Sequence, residues 1–237
     1  MRSPWNAVVA EAVGTFLFFF VGMGSVSVGV YALSLGAQPG GLIAVALAHG
    51  VALAVLVSAL AAVSGAHFNP AVTFGVWLNG HIHTRRAIAY VLAQCIGGLA
   101  AAVALRAVLP AGLQTDLGLP RLGPGVQPLQ GIAIEAILTG VLLIAVFGTA
   151  IDLRAHKVGG LMIGLAVAAD ILMGGQLTGA AMNPARWLAP AAETMTWDNW
   201  YVWIVGPLLG AAVAAVLYKY FFAPGASGER SPAAPET

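Results

Sequence analysis

Two polar motifs interrupt an otherwise apolar chain, and both carry residue types that suit hydrogen bonding at the start of a helix. Residues 64–72 read Ser-Gly-Ala-His-Phe-Asn-Pro-Ala-Val, and residues 178–186 read Thr-Gly-Ala-Ala-Met-Asn-Pro-Ala-Arg. The two segments align without gaps. Asn is a favoured N-cap residue, and Pro is favoured at the first helical position. The pattern therefore predicts two short helices that begin at Asn69-Pro70-Ala71 and Asn183-Pro184-Ala185.

The composition places these motifs in a membrane. Of the 237 residues, 59% are hydrophobic and only 8% are charged, with a mean hydropathy of +0.89. Soluble domains carry roughly 25% charged residues. The net charge of +1 provides no basic stripe for nucleic acid, so no nucleic-acid partner is expected. Hydropathy predicts six membrane spans, at about residues 7–31, 41–63, 87–109, 130–150, 158–175 and 200–222.

The chain is an internal repeat of two halves. Glu11 in the first span and Glu135 in the fourth have similar neighbours, as the two Asn-Pro-Ala motifs do. The repeats cover about residues 5–109 and 128–222 of one domain, 1–222, and a disordered tail is predicted for 223–237. Each half has three spans, so the second half must be inverted in the membrane. Inverted repeats place a site near the midplane, often between broken helices.

The two predicted short helices fit this central site. From Pro70 to residue 78 there are nine residues, or roughly 13 Å, which reaches about halfway through a bilayer core. The inversion brings Asn69 and Asn183 together, with two positive helix ends directed at one place. Each Asn has a side-chain carbonyl for its own helix and NH₂ donors for the lumen. Non-helical backbone at this depth favours a pore.

With these motifs in place, the sequence resembles the major intrinsic proteins, or aquaporins, over nearly its whole length. The resemblance rests on two intact Asn-Pro-Ala motifs, one in each half, with Arg186 directly after the second. It implies an all-α membrane protein with six transmembrane helices and two re-entrant half-helices in inverted three-helix repeats. It also implies a homotetramer with one water pore in each subunit.

The resemblance further implies a constriction outside the midplane that four side chains line. Counted from the motifs, these are His49, Ile171, Ala180 and Arg186. The set is most similar to tonoplast-type aquaporins, because strict water channels usually carry Phe and His in place of His49 and Ile171. Asp170 departs from the Asn common in that group, and a hydrogen bond in the wall of the outer vestibule is the role considered for it.

Carboxylates within membrane spans are costly unless they have partners. A catalytic pair is one reading of Glu11 and Glu135. The resemblance instead implies that each accepts backbone N–H groups from a re-entrant loop, and that His67 supports the first loop. His81 and His83 would suit a metal only with a third ligand, so no metal or cofactor is expected.

The predicted function is a passive channel for water that excludes ions and protons, with ammonia and other small neutral solutes as further candidates. A glycerol or small-solute facilitator is the alternative, although Trp187 follows Arg186 where glycerol-facilitating members usually have Asp. An inverted-repeat secondary transporter would be expected to carry coupling carboxylates beside the motifs, and none is there. No catalytic set is recognisable, so the chain is not expected to be an enzyme.

The positive-inside rule predicts that both termini are cytoplasmic, in a plasma membrane or a bacterial inner membrane. A vacuolar membrane is a further possibility that the resemblance offers. Seven basic residues would then lie on the cytoplasmic side, and three would lie on the outer side or close to it. The inside set is Arg2, Arg85, Arg86, Arg154, Lys157, Lys219 and Arg230, and the outside set is Arg106, Arg121 and Arg186.

Overall fold

The structure, a computed structural model, describes residues 4–154, 156 and 158–223. This part of the chain is helical and contains no strand. Arg2, Lys157, Arg230 and the predicted tail beyond residue 223 lie outside the described residues. The helices are α1 (Pro4–Ser34), α2 (Gly41–Ser64), α3 (Pro70–Leu78), α4 (Thr84–Val108), α5 (Pro128–Val146), α6 (Gly159–Gly174), α7 (Pro184–Thr194) and α8 (Val202–Leu217).

Six of these helices correspond to the six predicted spans, which confirms the predicted fold class. Helices α1, α2, α4, α5 and α8 belong to segments long and apolar enough to cross a membrane. Helix α6 is shorter, with 16 residues, or about 24 Å of helix. The ends differ from prediction by a few residues, and α1 extends three residues further at each end than hydropathy indicated.

The chain order of the helices defines two faces of the molecule. The terminal face carries residues 4 and 223 together with residues 79–83 and 152–154. The opposite face carries residues 35–40, 109–127 and 195–201. Helix α3 runs from the middle of the molecule towards the terminal face, and α7 runs from the middle towards the opposite face. The second half is therefore inverted relative to the first.

Small residues let the long helices of each half approach closely. Gly97 of α4 lies against the backbone of Ala12 in α1, and Gly210 of α8 lies against the backbone of Ala136 in α5. Ala12 and Ala136 are equivalent positions of the repeat. A side chain at either glycine would collide with the facing backbone, so glycine allows the contact that packs each half.

Both α5 and α8 end in a π-helical turn at the terminal face, Phe147–Ile151 and Tyr218–Phe222. The Phe147 and Tyr218 rings stack with centroids 5.4 Å apart. The Asp152 carboxylate accepts hydrogen bonds from the Tyr218 hydroxyl at 2.8 Å and from Arg154 Nη2 at 2.6 Å. These donors hold the pKa of Asp152 well below its usual range. We call Asp152, Arg154 and Tyr218 the terminal-face cluster, which joins the segment after α5 to the end of α8.

Candidate functional site

Two cavities, one from each face, lie end to end and define a path through the centre of the molecule. One cavity of about 390 Å³ begins at the terminal face, beside His81 and Arg86, and continues past both Asn-Pro-Ala segments. A second cavity of about 310 Å³ opens on the opposite face. The two cavities share three lining residues, His49, Ile171 and Arg186, and therefore meet at those side chains.

Asn69 lies at the centre of this path and caps α3. Its Oδ1 accepts hydrogen bonds from the backbone N–H of Ala71 at 2.8 Å and of Val72 at 3.4 Å. Its Nδ2 donates to the carbonyl oxygen of Met182, in the other half, at 2.9 Å. Pro70 occupies the first helical position, where its missing N–H leaves no donor unsatisfied.

Asn183 repeats this arrangement in the second half. Its Oδ1 accepts from the backbone N–H of Ala185 at 3.0 Å and of Arg186 at 3.3 Å, and Pro184 begins the helix. Its Nδ2 donates to the carbonyl oxygen of Phe68 at 3.0 Å. The sequence indicated that both hydrogens of each NH₂ would face the lumen. Instead one hydrogen of each amide bonds across the halves, and the other is left for the lumen.

The residues before each Asn have backbone conformations that suit this crossing. Phe68 and Met182 have φ angles of +49° and +51°, and Ala66 and Ala180 have +52° and +43°. Non-glycine residues adopt this left-handed region at a cost, and such strain is concentrated at functional sites. Here it turns the Phe68 and Met182 carbonyl oxygens towards the opposite Asn.

Glu11 holds the first of these loops and is completely buried. Its Oε1 accepts from the Ser64 hydroxyl at 2.6 Å and the His67 backbone N–H at 3.0 Å. Its Oε2 accepts from the Phe68 backbone N–H and from Gln94 Nε2, both at 2.8 Å. Four donors therefore surround the carboxylate, which gives it the partners that burial in a membrane requires.

Glu135 holds the second loop with three donors. Its Oε1 accepts from the Thr178 hydroxyl at 2.7 Å and the Ala181 backbone N–H at 2.9 Å. Its Oε2 accepts from the Met182 backbone N–H at 2.7 Å. Glu11 and Glu135 are thus equivalent, except that Gln94 gives the first carboxylate a fourth donor.

An aromatic donor fastens the start of each loop. The Tyr90 hydroxyl of α4 donates to the Ser64 carbonyl at 2.8 Å, and Trp203 Nε1 of α8 donates to the Thr178 carbonyl at 2.9 Å. Ser64 and Thr178 are equivalent in the repeat, so the two halves use different aromatic residues for the same bond. The Trp203 ring also stacks on that of Trp187, with centroids 5.6 Å apart.

Three of the four predicted constriction residues line both cavities, and the fourth, Ala180, lines the cavity that begins at the terminal face. His49, Ile171, Ala180 and Arg186 are all buried and line the path. His49 Nδ1 lies 2.9 Å from the Val45 carbonyl, which can only accept, so Nδ1 carries the proton. His49 Nε2 is then an acceptor, and it lies 3.4 Å from Arg186 Nε. The hydrogen-bond geometry thus assigns the tautomer, which sequence alone could not.

Arg186 is 94% buried and still has a donor to spare. Its Nη1 has no hydrogen-bond partner among the residues that the structure describes. Nη1 is itself buried, so a passing molecule meets the charge of the guanidinium rather than this N–H. Arg186 therefore places a positive charge beside the path, where both cavities are lined by its side chain.

Two acidic residues, Asp170 and Asp116, have positions that the sequence did not indicate. Asp170 does not line either cavity, so the expected position in the wall of the outer vestibule is not observed. It is buried in α6, and its Oδ2 lacks a partner within the described part of the chain. Asp116, which sequence reasoning missed, lines the opposite-face cavity with Arg186 and interacts electrostatically with it. Asp116 also pairs with Arg121 at 3.2 Å.

Other missed residues act through contacts that sequence spacing does not reveal. Gln94 is 83 positions from Glu11, and no motif connects them. Phe18 meets the His49 ring edge-on at 6.0 Å. Gly22 makes room for that ring, since a Cβ there would lie 2.5 Å from His49 Nε2. The apolar character of residues 12–84 was visible, but not which of their faces line the path.

Comparison with known proteins agrees with this geometry. A model of the family described as major intrinsic protein matches residues 1–218. Aquaporin TIP4-2 of Zea mays is 44% identical over 225 residues, covering 92% of this chain and 85% of the relative. Probable aquaporin TIP3-2 of Arabidopsis thaliana is 44% identical over 232 residues, covering 92% and 84%. The lens fiber major intrinsic protein of Gallus gallus is 41% identical over 224 residues, covering 94% and 83%.

A solved structure supports the fold independently. The aquaglyceroporin from Plasmodium falciparum superimposes with a TM-score of 0.82 at 22% identity, covering 93% of this chain and 97% of that one. At this identity the likeness concerns the fold alone. The family match and the relatives, taken with the central path, lead to one conclusion. The chain belongs to the major intrinsic protein family of membrane channels, which pass water or small solutes and are not enzymes.

Proposed function

We propose that this protein is a passive water channel that excludes ions and protons. The observation that carries the proposal is the pair of central asparagines. Asn69 and Asn183 each bond one amide hydrogen across the halves and leave the other for the lumen. A water molecule at the centre then meets two donors on one side and apolar side chains such as Val72 and Leu142 elsewhere.

Charge exclusion follows from three positive elements on the path. The N-termini of α3 and α7 both face the centre, and each contributes partial positive charge. Arg186 adds a full charge at the constriction. A fixed charge in a narrow, low-dielectric passage repels cations far more strongly than it would in water. Protons and metal cations are therefore opposed at two successive positions.

The constriction suits ammonia as a second solute. Ile171 and Ala180 give it an apolar side, and the charged Arg186 guanidinium lines another side. His49 Nε2 accepts a hydrogen bond from Arg186 Nε, and the Nδ1–H is bonded to the Val45 carbonyl. His49 therefore offers no donor to the lumen. Ammonia is close to water in size, so the arrangement of donors and acceptors decides its entry. Glycerol is larger and should pass poorly.

The molecule is proposed to lie in a plasma membrane or a bacterial inner membrane as a homotetramer, with both termini cytoplasmic. Of the described basic residues other than Arg186, Arg85, Arg86, Arg154 and Lys219 lie at the terminal face. Arg106 and Arg121 lie near the opposite face. This excess supports a cytoplasmic terminal face. The exposed apolar side chains of the long helices suit lipid or neighbouring subunits.

The decisive experiment is stopped-flow light scattering on proteoliposomes. An osmotic step with an impermeant solute should shrink vesicles holding the protein much faster than empty ones. A glycerol step should give little protein-dependent recovery of volume. Fast glycerol recovery would favour the small-solute facilitator, and flux coupled to an ion gradient would favour a transporter. Equal shrinkage of both vesicle types would disprove the water channel.

Ammonia is tested in the same vesicles with a pH-sensitive dye. An ammonia gradient should alkalinise vesicles that hold the protein faster than empty ones. The double substitution His49→Phe and Ile171→His should reduce this ammonia flux more than it reduces water flux. Equal loss of both fluxes would reflect a blocked pore. No ammonia flux in the unmodified protein would leave a plain water channel.

A further inference from the structure

The charged groups that line the two cavities are mostly positive. Arg86 lines the terminal-face cavity, and Arg186 lines both cavities. The N-termini of α3 and α7 add partial positive charge at the centre. Each of these elements repels cations and attracts anions. They therefore give the path no electrostatic barrier against a small anion such as chloride.

Asp116 provides the negative charge on this path. Among the described residues that line either cavity, it is the only one with a carboxylate, and it lies in the wall of the opposite-face cavity. Its charge interacts with that of Arg186. An anion that crosses in either direction must pass through the opposite-face cavity, so it must also pass this carboxylate.

The loop that carries Asp116 is packed against the rest of the molecule. The next side chain, that of Leu117, is completely buried in the hydrophobic core. Its backbone has a φ of +55°, a left-handed conformation that non-glycine residues adopt at a cost. The Leu119 N–H donates to the Asp116 carbonyl oxygen at 3.1 Å, which closes a turn. The packing of the loop therefore sets the position of Asp116.

Thr115 fixes the start of this turn through both its backbone and its side chain. Its carbonyl oxygen accepts a hydrogen bond from Arg106 Nη1 of α4 at 3.3 Å. Its hydroxyl accepts from the Leu117 N–H at 3.2 Å and donates to Ser27 Oγ of α1 at 3.3 Å. Ser27 is completely buried. Contacts with two transmembrane helices thus hold Asp116 at the mouth.

The pairing of Asp116 with Arg121 does not remove its effect on the path. Asp116 Oδ2 lies 3.2 Å from Arg121 Nε, but the two side chains are 43% and 51% exposed. An exposed ion pair is weak and is screened by salt. Arg121 lines neither cavity, so the carboxylate is the member of the pair that a solute in the mouth meets.

We infer that Asp116 determines the selectivity of the path against anions, with Thr115 and Leu117 as positioning residues. This inference rests on the proposed channel function. Arg186 and the two helix N-termini oppose cations, and Asp116 opposes anions at the mouth. Charges of both signs, placed in succession, exclude both kinds of ion while neutral molecules pass.

The test is chloride entry into proteoliposomes that hold a chloride-sensitive dye, with potassium and valinomycin to keep the membrane potential at zero. For the unmodified protein, chloride entry should be only slightly faster than in empty vesicles. In Asp116→Asn this difference should grow about five- to tenfold, as expected for removing one charge near the entrance. Asp116→Glu keeps the charge and should resemble the unmodified protein. Asp198→Asn is the matched control, because this exposed carboxylate lies on the same face and lines neither cavity.

Proton leak in the same vesicles distinguishes a change of selectivity from a damaged pore. Proton leak should stay low in Asp116→Asn, because Arg186 and the helix N-termini are retained. A rise of both leaks would mean that the pore is damaged and would contradict the inference. Unchanged chloride entry in a variant that still conducts water would contradict it as well.

Thr115→Val tests the positioning, since it keeps the carboxylate and removes the hydroxyl that bonds Leu117 and Ser27. Chloride entry should rise in Thr115→Val, by less than in Asp116→Asn, and proton leak should stay low. No rise would show that Asp116 keeps its place without Thr115, which would disprove the positioning role.

Arg186→Val provides a second measurement, because the remaining charge at the mouth is then negative and should draw cations in. Adding Asp116→Asn should reduce the proton leak of Arg186→Val about threefold, since that attraction is lost. Adding Asp198→Asn instead should not reduce it. An equal leak with and without Asp116 would overturn its role.

Water flux through the same vesicles separates this inference from the proposed function. A protein that conducts water but shows no effect of Asp116 on either leak would keep the channel and disprove the inference. A protein without water flux whose chloride entry rises in Asp116→Asn would disprove the water channel and retain the role of Asp116. The absence of both would disprove both.

Discussion

Arg186 is a buried charged residue, which is costly for the fold, and it lines both cavities, where its charge can act on passing solutes. A buried guanidinium with one unpartnered nitrogen is expensive in a membrane protein, and such residues are usually functional. Its Nε lies near His49, and its charge is balanced at a distance by Asp116 at the mouth of the path. The exposed Arg121 nearby is paired with the same Asp116 but lies outside the constriction.

Arg186→Val should therefore raise proton or cation leak from near zero while the fold is retained. The fixed positive charge that repels cations would be gone, and only the helix dipoles would remain. The leak is measured with a pH dye in vesicles under an imposed gradient. Arg121→Gln is the matched control and should leave the leak unchanged. No increase in a folded Arg186→Val protein would assign the barrier to the N-termini of α3 and α7.

Gly22→Ala should reduce water permeability several-fold without unfolding the protein. The new Cβ would lie 2.5 Å from His49 Nε2 and 2.6 Å from Cδ2, so the ring must shift and its contact with Arg186 is disturbed. Stopped-flow shrinkage provides the measurement. Gly29→Ala in the same helix is the control, because its Cβ would lie 3.7 Å from the nearest atom, an ordinary contact. Equal permeability in both variants would show that α1 does not set the ring position.

The residues that sequence could identify were those whose spacing is local. The capping role of Asn69 and the position of Arg186 follow from a nine-residue motif. Gln94 and Asp116 were missed because their partners are brought close only by the packing of distant helices. Asp170 was noticed as unusual, yet its burial in α6 away from both cavities depends on how that helix is rotated.

At the scale of helices, the two halves pack their long helices in the same way. Helices α1 and α4 cross at Gly97, and α5 and α8 cross at Gly210, each against an equivalent alanine backbone. Hydropathy predicted these helices but could not show the π-helical turns that end α5 and α8, because the pattern of apolar residues continues through them. The pattern of apolar residues also could not fix the ends of α6, which spans only 16 residues.

Gly210→Leu should lower the free energy of unfolding by about 1–3 kcal/mol, the usual cost of overpacking. The leucine would meet the Ala136 backbone and force α5 and α8 apart. The readout is the thermal unfolding temperature in detergent. Gly140→Ala faces the same helix pair, with its nearest atom at 4.0 Å, and should unfold like the unmodified protein. Identical unfolding of both variants would contradict this crossing.

The terminal-face cluster should not respond to pH between 5 and 8. The pKa of Asp152 is lowered by the Arg154 and Tyr218 hydrogen bonds. A carboxyl with a lowered folded-state pKa stabilises the fold above its unfolded pKa of about 4, and that contribution is lost only as pH falls further, through the folded value. The ratio of water permeabilities of Asp152→Asn and the unmodified protein should therefore be constant from pH 5 to 8.

Tyr218→Phe is the companion variant, since it removes one donor and keeps the ring stacked on Phe147. Its permeability ratio should also be independent of pH over the same range. A ratio that changed between pH 5 and 8 for Asp152→Asn, with Tyr218→Phe constant, would mean that Asp152 titrates there and that its hydrogen bonds are weaker than the geometry indicates.

For the molecule as a whole, we expect water flux to be insensitive to mercury, because the only thiol does not line either cavity. Cys95 is the only cysteine in the chain, and it lies half-buried on α4, away from the residues that line the cavities. Micromolar mercury should leave stopped-flow shrinkage almost unchanged. If mercury abolished the flux and Cys95→Ser restored it, the path would have to pass beside α4 at that position.

The inverted arrangement of the whole chain was predictable, because three spans in each half dictate it. The hydrogen bonds that join the two halves at the centre were not predictable. The sequence indicated that each half would bring its own Asn to the midplane, and the bonds from Asn69 to Met182 and from Asn183 to Phe68 depend on backbone turns that no motif encodes.

Those two crossed hydrogen bonds have a consequence for biosynthesis. While the ribosome has made only the first half, Phe68 and Asn69 have no partners for their central carbonyl and amide, and the bilayer core offers none. The re-entrant loop should therefore stay loosely inserted until residues 182 and 183 arrive, more than 100 residues later. We expect maturation to be a late, single closing event, so a chain truncated before α7 should be recognised as incomplete and degraded.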